Sequence, residues 1–212
     1  MIHPDTELRW VNSTVGYGVF ATNLIPEGTI VYVKDQLEVS ISPDNYLILD
    51  NNYREIIDKY SFIDDKGNRI ISWDIAKYVN HCCNCNTMST GYGFEIATRD
   101  IFPGEQITDE YGLFNVEYEM DLSCGYENCR KRLRITDFDT YYKDWDKKLK
   151  KIILKSETVA QPIMKFVDKE TQKELRTFTS TGKQYKSVTH LRYKPEMALV
   201  NAGMKMNGNG KH

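Results

Sequence analysis

Between residues 8 and 33, short apolar runs alternate with turn residues: Leu8-Arg9-Trp10-Val11, Gly16 to Ala21, Pro26-Glu27-Gly28, then Thr29 to Val33. Runs of this length, rich in β-branched and aromatic residues and closed by Gly or Pro, predict at least three strands of a small β-fold. Asp44 to Tyr60 mixes Leu47, Ile48, Ile56 and Ile57 with Asn and Asp, which suits a short helix or an irregular insert. Ile70 to Trp73 and Gly93 to Thr98 read as further strands, with a short helical turn over Ile75 to Asn80 between them. Pro103-Gly104-Glu105 then turns the chain into Gln106-Ile107-Thr108. After Arg134 the period changes. Tyr142, Trp145, Leu149, Ile152 and Ile153 recur at intervals of three and four among lysines and aspartates, which predicts an amphipathic helix over Asp139 to Ser156. A second helix is expected after Pro162, burying Ile163, Phe166, Val167 and Leu175. Thr179 to Tyr193 should be extended and polar, and the Gly- and Asn-rich end of the chain disordered.

The 212 residues allow one ordinary domain plus an appendage, and 27% charged with 41% hydrophobic residues is ordinary for a soluble globular chain. A net charge of −2 argues against a general nucleic-acid binder. The cluster Lys147, Lys148, Lys150, Lys151 and Lys155 fits the solvated side of a helix. Neither a secretory signal nor an apolar stretch of the ~20 residues that span a bilayer is expected. No membrane association is expected, and a cytoplasmic location, or a nuclear one in a eukaryote, is expected. The five cysteines, Cys82, Cys83, Cys85, Cys124 and Cys129, are an odd, clustered set that reads as metal ligands sooner than as disulfides.

Three segments carry candidate chemistry. Gly16-Tyr17-Gly18 lies between strand-like runs, where glycine permits a tight turn and close approach of backbone to a ligand. It opens no helix and is not a dinucleotide fingerprint. Asn80-His81-Cys82-Cys83-Asn84-Cys85-Asn86 is seven consecutive residues able to ligate metal or hydrogen-bond, bracketed by apolar neighbours. Gly104 to Gly112 ends in Thr108-Asp109-Glu110-Tyr111-Gly112, a tyrosine following a strand.

In this order and spacing the three segments resemble the SET-domain family of protein-lysine methyltransferases. Residues 16 to 32 resemble its G-x-G-V-F-A motif with a later P-x-G, residues 80 to 86 its N-H-x-C-x-P-N signature, and residues 98 to 112 its closing segment ending in tyrosine and glycine. Ser123 to Arg130 is similar to the post-SET C-x-C-G-x-x-x-C-R. Two departures stand out: Cys85 occupies the place of the motif's proline, and Leu122 that of the first post-SET cysteine. Asp109 also falls where many members have an aromatic or apolar residue near the lysine channel, leaving the number of methyl groups added open.

The resemblance implies a mainly β fold, the SET-type β-clip with knot-like threading, around a crossing of the segments carrying Asn80 and Tyr111. It implies a SET domain over 8–112, a post-SET-like segment over 113–135, a helical C-terminal extension over 136–200 that packs on the core or flanks the substrate groove, and a disordered tail over 201–212. S-adenosylmethionine would be held by Gly16, Tyr17, Gly18, Asn80 and His81, with Tyr111 bordering the methyl group as the catalytic residue. A structural zinc would take Cys83, Cys124 and Cys129, with Cys85 as fourth ligand and Cys82 less suited because its side chain should point away from Cys83. The implied partner is a protein or peptide lysine, a histone tail among the candidates. A catalytically silent SET-like peptide-binding module, and a small zinc-dependent interaction protein without a cofactor pocket, are the alternatives. Cofactor binding separates the last from the others.

Overall fold

The computed structural model of the chain describes residues 1–194, so the expected disordered tail over 201–212 lies outside the described residues. The chain opens with strands β1 (Thr6–Asn12) and β2 (Gly16–Ala21), an antiparallel hairpin in which Trp10 faces Tyr17. Its turn is built by Asn12, whose Oδ1 accepts from the amides of Thr14 and Val15 at 2.9 Å each. Such a side-chain turn is what Asn supplies without help from tertiary contacts.

Strand β3 (Ile30–Val33) follows, then β4 (Val39–Ile41), the short helices α1 (Pro43–Leu47) and α2 (Asn51–Tyr60), and strands β5 (Ser61–Ile63) and β6 (Arg69–Ile71). The uncertain stretch from 44 to 60 is thus two capped helices, with Ser42 and Asp50 each accepting from an amide of the first turn. Only Ile57 of these helices is buried, so their apolar signal was faint in the sequence. Strands β4, β6 and β5 form a small sheet of their own, inserted between β3 and the rest of the core.

The remaining strands are β7 (Asn80–His81), β8 (Thr87–Ser89), β9 (Phe94–Ala97), β10 (Thr108–Asp109), β11 (Met120–Asp121) and β12 (Arg132–Leu133). β3, β9 and β8 make the central three-stranded sheet, and every residue of these strands is buried. The architecture is the expected set of small sheets with helices at the C-terminal end.

Helix α3 (Asp137–Ile153) begins with Asp137 and Asp139 and ends with Lys150 and Lys151, charges that complement the helix dipole. Its Trp145, Leu149, Ile152 and Ile153 share one core with Ile30, Phe94 and Ile96 of the central sheet. The helical extension therefore packs on the core. The second helix, α4 (Lys169–Thr181), starts later than the apolar spacing indicated. Ile163 and Val167 are buried before it, flanking a single 3-10 turn over Met164–Phe166, and Asp168 then caps α4 by accepting from the Thr171 amide.

Residues 182 to 193 strap this extension to the β-core. Asp146 of α3 accepts from the Tyr185 hydroxyl at 2.8 Å, the Ser187 hydroxyl at 2.6 Å and the Val188 amide at 2.9 Å. The strap then passes so close to Gly91 that a β-carbon there would meet the backbone of Lys186 and Ser187. Gly91→Ala should cost about 1–3 kcal/mol of stability through this overpacking. A lowered urea midpoint at unchanged slope checks it, and an unchanged midpoint would contradict the close approach.

Candidate active site and sulfur cluster

The two segments singled out in the sequence lie side by side. β7 and β10 pair in parallel, Asn80 opposite Thr108 and His81 opposite Asp109. Parallel strands carry no tight turn between them and so depend on long-range locks. Asn86 is one: its Nδ2 donates to Gln106 O at 2.9 Å and its Oδ1 accepts from Thr108 N at 2.8 Å. Thr87 adds a hydroxyl bond to Thr108 O at 2.9 Å.

Tyr111 sits just past this pairing. Its hydroxyl donates to Val79 O at 2.7 Å, and its ring lies 5.4 Å from His81 on one side and 5.5 Å from Phe114 on the other. Burial raises the pKa of this phenol, so the hydroxyl stays protonated. His81 Nδ1 stands between the Tyr111 amide at 3.2 Å and the Asp109 carbonyl at 3.1 Å. Burial, with the positive charge of Arg130 adding to it, lowers the His81 pKa to about 4, which keeps the ring neutral. Asn80 Nδ2 donates to Tyr17 O at 3.0 Å and so fastens β7 to the first hairpin. Gly16 has φ 82 and open space before it, whereas a β-carbon on Gly18 would fall 2.5 Å from Gln106 Nε2, 2.9 Å from Val11 Cγ2 and 3.1 Å from Asn80 Nδ2. The glycines thus divide their work: Gly16 makes the turn and Gly18 leaves room for Gln106, Val11 and Asn80.

Next to Tyr111 opens a cavity of about 340 Å³, walled by Phe62, Val79 and Phe114 and by Tyr111 itself. Glu95 and Asp109 also line it. Burial raises both carboxyls, Asp109 to about 7. Glu95 was not singled out in the sequence, although a lone acid inside the apolar run Phe94-Glu95-Ile96-Ala97 was a signal to be had.

The cysteines gather beside His81. The Cys83 and Cys129 sulfurs are 4.0 Å apart, and the Cys124 sulfur accepts from the Cys83 amide at 3.3 Å. The amides of Arg130 and Lys131 point at the Cys83 and Cys129 sulfurs, each at 3.4 Å. Amide donors favour thiolate, and those of Cys124 and Lys131 help lower Cys129 to about 7. Ligating atoms of His81, Cys83 and Cys124 lie within 4.8 Å of one another. The fourth sulfur differs from expectation. Cys85 is turned into the main hydrophobic core, where burial holds its thiol well up. Cys82 is buried in the same core, its sulfur accepting from the Asn84 amide at 3.3 Å, whereas His81 Nε2 lies 3.4 Å from the Cys83 sulfur.

The Cys segment is tied to the tyrosine turn by charge. Arg130 Nη2 donates to Glu110 Oε1 at 2.6 Å, and the same oxygen accepts from Gly112 N at 2.9 Å. Residues 16–112 match the sequence profile described as the SET domain. This segment is a SET domain. Among relatives, ASHH4 of Arabidopsis thaliana is 28% identical over 138 residues, 56% of this chain and 36% of its own length. The histone-lysine N-methyltransferase ASHH3 of the same plant is 31% identical over 77 residues, 33% of this chain and 20% of its own length. The chain therefore spans about a third or less of the curated relatives it matches. A crystal structure of KRYPTONITE in complex with mCHG DNA and SAH superposes with a TM-score of 0.45 at 22% identity, covering 61% of this chain and 29% of that one.

Within the SET domain, Asn80 bonds Tyr17 and His81 packs on Tyr111, while Cys85 lies in the main hydrophobic core. Arg130→Met leaves Glu110, whose side chain is 4% exposed, buried without its cation. It should cost about 3 kcal/mol, read as a loss of urea stability. A loss below about 1 kcal/mol would show the pair to be replaceable by solvent.

Proposed function

We propose that this chain transfers the methyl group of S-adenosylmethionine to the side-chain amine of a protein lysine, with histones as the first substrates to test. The observation that carries it is the position of Tyr111, packed on His81 of the cofactor-side strand and on Phe114 of the cavity wall. The histone reading draws on the name of the relative ASHH3.

S-adenosylmethionine brings a methyl already activated by a positive sulfur, so the protein's task is alignment and not acid–base chemistry. Gly16, Tyr17, Gly18, Asn80 and His81 would hold the cofactor, a reading supported by the Asn80 to Tyr17 bond that brings β7 against the first hairpin. A neutral His81 there adds no repulsion against a sulfonium. The acceptor must be a neutral amine, and free lysine has a pKa near ~10.4. Apolar walls such as Phe62 and Phe114 favour the uncharged form. Tyr111 offers its hydroxyl oxygen at the junction, with its proton engaged by Val79 O.

The sulfur cluster fits one structural zinc, which would cross-link the post-SET-like segment to β7. Cys83, Cys124 and Cys129 would hold it, with His81, whose Nε2 lies 3.4 Å from Cys83 Sγ, in reach of the fourth position. Zinc content measured by plasma mass spectrometry should approach one per chain, fall with Cys83→Ser or Cys129→Ser, and persist in Cys85→Ser. Dependence on Cys85 would return the fourth position to that residue.

Tyr111→Phe tests the main reading. Radiolabelled transfer to core histones should drop about a hundredfold, while calorimetric affinity for S-adenosylmethionine stays within about threefold. Cofactor binding without transfer by either protein would favour a silent peptide-binding module, and no cofactor binding at all would overturn the reading.

A further inference from the structure

Asparagine tolerates the left-handed backbone region better than most residues, and Asn115, at φ 53, occupies it one residue past Phe114. It is 6% exposed, so its side-chain amide must find partners inside the protein. Its Nδ2 donates to Ile63 O of β5 at 3.0 Å and to Leu191 O at 2.8 Å, and its Oδ1 accepts from Tyr193 N at 2.9 Å. One side chain thus joins three segments far apart in sequence: the end of the tyrosine turn, the inserted sheet and the C-terminal strap.

The strap is anchored independently of this clamp. Val188 is 0% exposed within the main core, and Arg192 donates to Asp139 of α3 at 3.0 Å. The Tyr193 ring lies over Gly67 in the β5–β6 turn, where a β-carbon would fall 2.5 Å from it. Between these anchors Leu191 walls a second cavity of about 100 Å³, which shares Tyr32, Phe62 and Phe114 with the larger cavity beside Tyr111. The Phe62 and Phe114 rings, 5.4 Å apart, are therefore part of a partition with space on both sides. Such a partition keeps its place only if the backbone behind it is held. The direct tie, Ile63 N to Phe114 O, is a long 3.4 Å, so the shorter Asn115 bonds are the firmer hold.

We propose that Asn115 is a positioning residue: it fixes the Phe62–Phe114 wall to the C-terminal strap, so that the strap acts on the acceptor lysine and not on the cofactor. The identity of the cavity's guest rests on the methyl-transfer reading, and the clamp rests on its hydrogen bonds. Asn115 itself lines neither cavity, so it acts through the two rings. Its contribution is preorganisation. Without the clamp the rings must be ordered when the substrate enters, and ordering a side chain on binding weakens affinity about threefold to tenfold. The first hairpin is fastened separately, by the Asn80 to Tyr17 bond, and none of the clamp's partners belongs to it.

The test uses the full chain with two variants. Asn115→Gly keeps the left-handed backbone and removes the side-chain bonds; Leu191→Ala enlarges the smaller cavity and leaves the Leu191 carbonyl in place. Thermal melts check that each folds. Hydrogen exchange read by mass spectrometry should quicken in Asn115→Gly at residues 61–63 and 113–114 and stay unchanged at residues 16–18. In both variants the KM for core histones should rise about threefold to tenfold, while kcat and the calorimetric affinity for S-adenosylmethionine stay within about twofold. A lowered melting temperature with KM unchanged, or a KM change matched by an equal loss of cofactor affinity, reduces the clamp to general stability and overturns the proposal. If Asn115→Gly does not fold, Leu191→Ala decides by the same criterion. If the wild type transfers no methyl, the methyl-transfer reading falls by itself and the exchange pattern decides the clamp. Faster exchange confined to the wall then supports it, and exchange that is unchanged there or spreads to residues 16–18 overturns it.

Discussion

The site depends on a parallel pairing only two residues long. Asn80–His81 and Thr108–Asp109 lie far apart in sequence, and nothing local brings them together. The pairing is held from outside by Asn86, which bonds residues 106 and 108, and by Thr87, which bonds 108. At one end it presents Asn80 to the first hairpin, and just past the other it delivers Tyr111 against His81. Loss of register here by one residue would exchange the buried and exposed sides of the strand and dismantle both functions together.

Two further constraints keep that junction rigid. The first is packing: α3 lays Trp145, Leu149, Ile152 and Ile153 on the central sheet, so the helical extension is part of the same core as Phe94 and Ile96. Trp145 also reaches Gly112, where a β-carbon would fall 2.8 Å from its ring. The second is charge. Arg130, next to the last cysteine, reaches the acid beside Tyr111, so the sulfur cluster and the tyrosine turn move as one body. The proposed zinc would therefore act on the site through position and not through chemistry at the reacting atoms.

The order of motifs made most of this legible in the sequence. Gly16-Tyr17-Gly18, Asn80-His81 and Tyr111 are polar or conformationally special residues set among apolar strands, and such residues survive in strands only where the fold uses them. Lysine and aspartate alternating with Trp145, Leu149 and Ile152 announced α3. What escaped reading were features without local signal. The helices between 43 and 60 bury a single isoleucine, and α4 is delayed by buried residues that are not helical. The burial of Cys85 in the hydrophobic core turned on side-chain direction in an irregular segment, which no period describes. Glu95 had a signal, an acid in an all-buried strand, but that it shares a cavity lining with Asp109 became visible only in the fold.

The central claim is that one surface of this junction takes S-adenosylmethionine while the cavity beyond Tyr111 takes the lysine. Amide resonance mapping of the labelled chain during titration with S-adenosylmethionine tests it most directly. The account predicts saturable shifts at Gly16 to Gly18, Asn80, His81 and Tyr111, with Ser61 to Ile63 of the cavity wall left largely in place. Shifts confined to that wall, or none at all, would contradict it.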